Sequence, residues 1–392
     1  MIGTVSGMQH LVALAAHGHP RFLAHLGDAW EAGDAVLPVD PRLPRPAVAR
    51  LFESLGPAVY VDADGVHTYL GARRPVEVGD ALVVATSGST GEPKGVVLTH
   101  DAVTASAVAT STRLGVDPGA DRWLACLPLA HVGGLSVVTR ALVTGTAVTI
   151  HDGFDATAVE AEARRGGATL VSLVATALQR IDASLFRTVL LGGSGPPEGG
   201  VAANVVTTYG MTETGSGVVY DGVPLDGVEI RIVDGEVQVR GPMLLRCYRD
   251  GDDPKTPDGW FATGDAGALD TDAHGITRLT VFGRRAEMII SGGENVWPHA
   301  VEEVLGAHPE VAEVAVAGRP DPEWGQRVEA FVVPVDPDRP PTLASLRALA
   351  VEQLPAYAAP RRLTVVTSLP RTALGKIARH QLPDEAEEHY TE

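Results

Sequence analysis

Short β-rich runs alternate with Ala-rich helical runs through the first two-thirds of this 392-residue chain. ALVVAT (81–86), RWLACLPL (122–129), TAVTI (146–150) and FRTVLLGG (186–193) read as strands. DAVTASAVATSTRLG (101–115) and GLSVVTRALVTG (134–145) read as helices. Strands separated by helices predict an α/β fold with a mostly parallel sheet, because parallel neighbours need a long crossover. From about Val218 the pattern changes. VEIRIVDGEVQVRG (228–241) alternates around Asp234-Gly235, a strong hairpin signal. HGITRLTVFGRR (274–285) is strand-like again, so an antiparallel β subdomain is expected there. The remainder reads as a small α+β domain: a helix over 299–306, strands in 313–318 and 329–335, a helix over 343–352 and a strand in 362–369. The expected division is 1–284 for a large domain and 285–392 for a small one.

Composition excludes several classes. The formal net charge of −18 disfavours sequence-independent nucleic-acid binding and an anionic membrane surface, both of which need Lys and Arg. Hydrophobic residues make up 45% and charged residues 20%, as in ordinary soluble domains. No stretch approaches the roughly 20 apolar residues of a membrane span. The N-terminus lacks a basic, then apolar, leader pattern. A cytoplasmic protein is expected. Cys126 and Cys247 are too few for a disulfide framework or a zinc cluster and are expected to be buried and inert.

ATSGSTGEPKGVVLTH (85–100) is the strongest local signal. A strand, a Gly/Ser/Thr loop and a helix is the layout of an anion site. Gly88, Gly91 and Gly95 would let the backbone approach a ligand, Thr86, Ser87, Ser89 and Thr90 would donate, and Lys94 would carry charge. The string is not a P-loop, since Lys94 follows Pro93 and precedes Gly95. Composition alone leaves a solvated loop equally open.

The fuller string TSGSTGEPKG resembles the phosphate loop of the acyl-adenylate-forming superfamily. Six further motifs follow in that family's order: LPLAHVGGL (127–135), LLGGSGPP (190–197), TYGMTETG (208–215), WFATGD (260–265), GRRAEMIISGGENVWP (283–298) and LPRTALGKI (369–377). The resemblance spans nearly the whole chain. It implies an acid–thiol ligase that uses ATP, Mg²⁺ and coenzyme A. It also implies a large N-terminal domain and a small mobile C-terminal one. The start of the chain departs from the family pattern: the segment at 20–44 normally follows a longer N-terminal lobe, so the first lobe is expected to be abbreviated.

The resemblance assigns roles residue by residue. Lys376 would bridge the acid's carboxylate and the α-phosphate. Glu213 would hold Mg²⁺, and Thr212 and Thr90 would contact phosphate oxygens. Gly88, Ser89, Thr86, Ser87 and Lys94 would enclose the β- and γ-phosphates. Gly193, Ser194, Tyr209 and Gly210 would form the adenine site, and Asp265 with Arg284 would bind the ribose. Gly292 and Gly293 would line the thiol tunnel. Arg285 and Ala286 would be the hinge, where the family usually carries Asp or Lys at the position of Ala286. The chemistry asks for cations and fixed dipoles rather than a nucleophilic side chain, because both reactants are anions.

For the acid, Ser136 and Arg140 stand four apart and so share a helix face. His131 sits in the gate motif, with Gly192 and Met211 as further pocket candidates. An Arg inside LSVVTRALV is either half of a structural ion pair or a receptor for a second carboxylate on the substrate. The run L-P-L-x-H-x-x-G-L-S-x-x-x-R resembles the o-succinylbenzoate–CoA ligases of menaquinone biosynthesis, although Gly133 stands where some relatives have Ser. An aryl-acid ligase or a stand-alone adenylation enzyme of secondary metabolism is the alternative. The expected partners are a small carboxylic acid, ATP and CoA, with a homodimer left open.

Overall fold

The alternating runs build two seven-stranded sheets. This is seen in a computed structural model that describes residues 9–71, 74–87, 93–165, 167–193, 200–371, 377–383 and 389–390. The first sheet runs in the order Cys247–Tyr248, Pro93–Thr99, Asp80–Ser87, Ala35–Val39, Leu11–Ala15, Val59–Val61, His67–Tyr69. Its centre is parallel, with Leu11 beside Ala35 and Val36 beside Leu82. Strands covered on both faces need continuous apolar runs, and all five residues of AVLPV are buried. The second sheet runs Val223–Pro224, Gly217–Tyr220, Val205–Gly210, Thr188–Leu191, Leu170–Leu173, Arg122–Ala125, Ala147–Ile150. It is parallel from Val205–Gly210 onward.

One expectation is corrected here. The candidate phosphate loop is followed by strand Pro93–Thr99, antiparallel to Asp80–Ser87, and the helix starts only at His100. Val96, Val97 and Leu98 are all buried, and three consecutive buried apolar residues suit a covered strand. Thr99 caps helix His100–Leu114 by accepting from Ala102 N, and Gly115 closes it in the left-handed region. Lys94 therefore lies on a strand, six residues before the helix begins.

Helix Val132–Thr144 begins directly after His131. Its first turn packs so closely on the gate motif that a Cβ on Gly134 would sit 2.4 Å from Leu127 O.

A third, four-stranded sheet contains Glu229–Val233, Glu236–Arg240, Phe261–Thr271 and Thr277–Arg284. Asp234 and Gly235 both have positive φ, 50° and 78°, as the expected two-residue hairpin turn requires. Two compact units are distinguished. One comprises 1–231, 238–262 and 269–279; the other comprises 232–237, 263–268 and 280–392. The second unit has its own core, in which Val301, Leu305, Leu346 and Ala350 of two helices pack on Val316, Val328, Val332 and Leu363 of its sheet. Cys126 and Cys247 are free and buried, and burial pushes the Cys126 thiol up to about 12. Among the described residues no helix is long and apolar enough to cross a membrane.

Candidate active site

Thr86 pairs with Lys94 and Ser87 with Pro93, so the hairpin closes at the base of the loop. Thr86 Oγ1 donates to Lys94 O at 3.4 Å, a long contact. Gly88, Ser89 and Thr90 lie outside the described residues, as does Gly91. Gly95 has a different reason from the one expected. A Cβ there would meet Leu55, Val83 and Arg249 side-chain carbons at 2.8–2.9 Å, so packing excludes it rather than a ligand. Lys94 Nζ stands 4.8 Å from the ring centroid of Tyr248.

Strand Val205–Gly210 ends in a 3₁₀ turn, Thr212–Thr214. Thr214 is fully buried and fixes the turn: its hydroxyl accepts from Met211 N at 2.9 Å and lies 2.6 Å from Ser216 O. This leaves Thr212 and Glu213 at the turn's partly exposed side. Tyr209 is half-buried and pairs with Val219, and the register shifts at Gly210. A Cβ on Gly210 would lie 2.2 Å from Ser216 O and 2.6 Å from Gly217 Cα, both rigid backbone. Gly210→Ala is expected to destabilise the protein by about 1–3 kcal/mol, the usual cost of overpacking. Thermal unfolding measures this. On the neighbouring strand, Gly192 N donates to Leu173 O, and Gly193 takes φ +88°. A Cβ at Gly192 would meet Thr208 Oγ1 at 2.9 Å. Ser194 lies outside the described residues.

Glu213 Oε1 accepts from the Tyr248 hydroxyl at 3.0 Å. Burial and the adjacent carboxylate push the Tyr248 phenol up, so it stays a donor. No group of three or more His, Cys, Asp or Glu side chains is placed to hold a metal among the described residues. One hard, partly exposed carboxylate fits Mg²⁺, which binds through one or two carboxylates plus substrate phosphates.

Arg140 is 1% exposed, with no carboxylate beside it among the described residues. Its Nη2 donates to Ser216 Oγ at 3.2 Å, and its guanidinium stacks over Trp123 at 4.7 Å. Nε and Nη1 are buried with no hydrogen-bond partner among the described residues. Burial lowers its pKa, the sign of a cation held without a counter-ion. Of the two sequence readings of Arg140, the structural ion pair is ruled out among the described residues. Ser136, Arg140, Val132, Leu135 and Gly215 line a cavity of about 10 Å³, room for one small polar group at the guanidinium. Sequence reasoning missed Ser216 and Trp123. Ser216 was adjacent to a recognised motif, whereas Trp123 looked like any core strand residue.

His131 is the N-cap of its helix but makes no capping bond. Its Nε2 is 3.8 Å from Asp40 Oδ2 and has no hydrogen-bond partner among the described residues. Asp40 is held by Arg42, whose Nη2 reaches Oδ2 at 2.6 Å and whose Nε reaches Oδ1 at 2.9 Å. Asp40 and Arg42 border a cavity of about 360 Å³ at the carboxyl ends of Leu11–Ala15, Ala35–Val39, Arg122–Ala125 and Ala147–Ile150. Burial, partly opposed by Asp40, pulls the His131 imidazole below its usual 6.5. The native state then binds fewer protons than the unfolded chain just below that value, so stability falls as pH drops. His100 is lowered in the same way. Unfolding free energies measured from pH 7.5 to 5.5 are expected to decline, and His131→Gln should remove part of that slope.

In the second unit Asp265 is buried, and Arg284 Nε approaches its Oδ1 at 3.1 Å. Arg284 Nη1 also donates to Thr263 O at 2.8 Å. The two expected ribose residues are thus side by side. Arg285, Ala286 and Glu287 form a 3₁₀ turn, and Arg285 pairs with Glu236 at 3.0 Å. Gly292 and Gly293 are the two-residue turn between Ile289–Ser291 and Glu294–Val296, with φ of +62° and +86°. A Cβ on Gly292 would also meet the Trp324 ring at 2.8 Å. Lys376 lies outside the described residues. Its flanks are fixed: Arg371 bridges to Ile377 and pairs with Glu313 at 2.6 Å, and Arg379 pairs with Glu302 at 2.7 Å.

A cationic hairpin, a single hard carboxylate on a tight turn and a buried unpaired guanidinium together suit a site where two anions must meet. Residues 74–249 match the family model of the AMP-binding enzyme, and 300–376 match the AMP-binding enzyme C-terminal domain. The chain belongs to the AMP-binding enzyme family, as an AMP-forming acid–thiol ligase. Its branch is that of the 2-succinylbenzoate–CoA ligases. It is 41% identical over 367 residues to a probable 2-succinylbenzoate–CoA ligase of Mycobacterium tuberculosis, covering 86% of this chain and 93% of that one. Its fold matches o-succinylbenzoate CoA synthetase of Bacillus subtilis in complex with an acyl-adenylate intermediate, at a TM-score of 0.85 and 28% identity, over 98% of this chain and 90% of that one. The same enzyme in complex with ATP and magnesium ion matches at a TM-score of 0.82 and 29% identity, over 96% and 90%.

Proposed function

We propose that this chain joins 2-succinylbenzoate to coenzyme A in two steps within the cytoplasm, where free thiols such as Cys126 and Cys247 persist. In the first step a carboxylate oxygen of the acid attacks the α-phosphorus of ATP. The bond to the β-phosphate breaks and pyrophosphate leaves. In the second, the thiol sulfur attacks the acyl carbon, the thiol proton is lost and AMP leaves.

The observation that carries this reading is the buried Arg140 with two unused donors. A guanidinium binds a carboxylate through two parallel hydrogen bonds, and a diacid offers a second carboxylate to fill that place. The cavity that Arg140 lines, about 10 Å³, is the size of a single water, so the pocket has to widen to take a carboxylate. Ser216 and Trp123 hold the guanidinium plane fixed, so little orientation is lost on binding.

Lys94 steadies the leaving pyrophosphate. Glu213, on its buried Thr214 anchor, would hold a magnesium ion, which would supply charge neutralisation at the phosphates. Asp265 and Arg284 hold the ribose, Gly193, Tyr209 and Gly210 take the adenine, and Lys376 neutralises the meeting anions. The turn at Arg285-Ala286 is the hinge between a domain of 1–284 and one of 285–392. Ala286 supplies backbone freedom there without a charge. Gly292 and Gly293 give the thiol arm a passage without side chains.

A panel of carboxylic acids assayed for ATP- and CoA-dependent thioester formation tests the reading. 2-Succinylbenzoate should be preferred over benzoate-type monoacids. Preference for a monoacid would point to an aryl-acid ligase instead, and adenylate release without thioester would point to a stand-alone adenylation enzyme.

A further inference from the structure

Tyr248 is outside every motif that signalled the site, yet it touches two of its charged groups. Its strand, Cys247–Tyr248, is the edge of the first sheet and pairs with Pro93–Thr99, placing Tyr248 opposite Val96. Arg249 N donates to Gly95 O, and Leu245 N donates to Glu213 O. The segment from Leu245 to Arg249 is therefore tied to the lysine strand on one side and to the glutamate turn on the other. The anchor is firm, because the Arg249 guanidinium donates to Leu55 O and Pro75 O from a buried position. From this anchored strand, the Tyr248 hydroxyl donates to Glu213 Oε1 at 3.0 Å. The ring meanwhile faces Lys94 Nζ at 4.8 Å from its centroid.

Lys94 and Glu213 carry opposite charges, and neither has an ion-pair partner among the described residues. A direct pair between them would cover the carboxylate that has to meet magnesium and the ammonium that has to meet phosphate. We propose that Tyr248 is a positioning residue for adenylation, which spaces Lys94 from Glu213 and leaves one carboxylate oxygen open to the metal on MgATP. This rests on the adenylation reading above. The hydroxyl occupies one carboxylate oxygen and fixes the rotamer of Glu213. The ring gives Lys94 a resting place that is weaker than a salt bridge and easily given up to a triphosphate.

The test is calorimetric binding of a non-hydrolysable ATP analogue, with and without Mg²⁺, to the wild type, Tyr248→Phe and Tyr248→Leu. In Tyr248→Phe the ring remains and the hydroxyl is gone. The gain in affinity that Mg²⁺ brings should shrink about tenfold, the effect of one hydrogen bond to a charged group, while metal-free binding is unchanged. In Tyr248→Leu the ring is gone too, and metal-free binding should also weaken. A Tyr248→Phe protein that keeps the full Mg²⁺-dependent gain overturns the proposal, whether or not its Tm has fallen. Equal losses with and without Mg²⁺ in both variants do the same, since they mark a merely structural residue. Acid-dependent exchange between ATP and pyrophosphate in the wild type reports separately on the adenylation reading. Its absence sinks that reading without touching the calorimetric result.

Discussion

Arg140→Met is expected to raise the KM for 2-succinylbenzoate by about a hundredfold and to stabilise the ligand-free protein. The two effects have one cause. A guanidinium with 1% exposure, stacked on Trp123 and using one of its donors on Ser216, is costly to bury without an anion. Methionine has similar length and no polar atoms, so replacing a buried charge in this way commonly stabilises by about 1–4 kcal/mol. In the complex, loss of a desolvated charge pair costs about 3–5 kcal/mol, which is a hundredfold or more in affinity. Steady-state kinetics and thermal unfolding of the same variant read both effects. A lower Tm with an unchanged KM would mean that Arg140 serves the fold alone.

Lys376→Ala is expected to lower the rate of acyl-adenylate formation by roughly a thousandfold. That is the scale of offsetting the ~4 kcal/mol repulsion between two unit charges about 4 Å apart at an effective dielectric of 20. Thioester formation from a supplied acyl-adenylate should be largely retained, because that step joins a thiol to an already activated carbonyl. Pyrophosphate release and single-turnover thioester formation, measured separately, distinguish the steps. Equal loss of both would contradict a lysine dedicated to adenylation. Lys376 itself lies outside the described residues, but the Arg371–Ile377 bridge and the Arg379–Glu302 pair fix the segments on both sides of it.

Much of the fold could be read from the chain because local and global signals agree. AVLPV is apolar throughout, and it is a strand covered on both faces. Asp234-Gly235 marks a hairpin, and both residues take the positive φ that such a turn needs. The order of strand, loop and helix around Lys94 was misleading because VVLTH (96–100) has no glycine or proline to separate a buried strand from the helix it feeds. The Gly/Ser/Thr loop was legible by composition, but Gly95 was not: its reason is the packing of Leu55, Val83 and Arg249, which come from distant parts of the chain.

The site divides in the same way. Glu213 and Gly210 sit in a compact motif whose meaning is local, and the clash of a Gly210 Cβ with Ser216 O gives the motif its glycine. Arg140 was visible as an odd charge in an apolar helix, but only the tertiary packing reveals that it lacks a carboxylate partner among the described residues. Tyr248 carried no signal at all. Its importance comes from an edge strand lying beside Pro93–Thr99, a pairing between residues about 150 apart in sequence. The contact of Asp40 with Arg42 and His131 likewise joins two sheets that the sequence shows only as separate runs.

The most direct measurement compares kcat/KM for 2-succinylbenzoate with that for the monoacid that keeps the reacting carboxylate and lacks the other one, in the wild type and in Arg140→Met. The account predicts a preference for the diacid of about a hundredfold or more in the wild type, and near-equal values in the variant. The same preference in both proteins would contradict it, because the second carboxylate would then be recognised without Arg140.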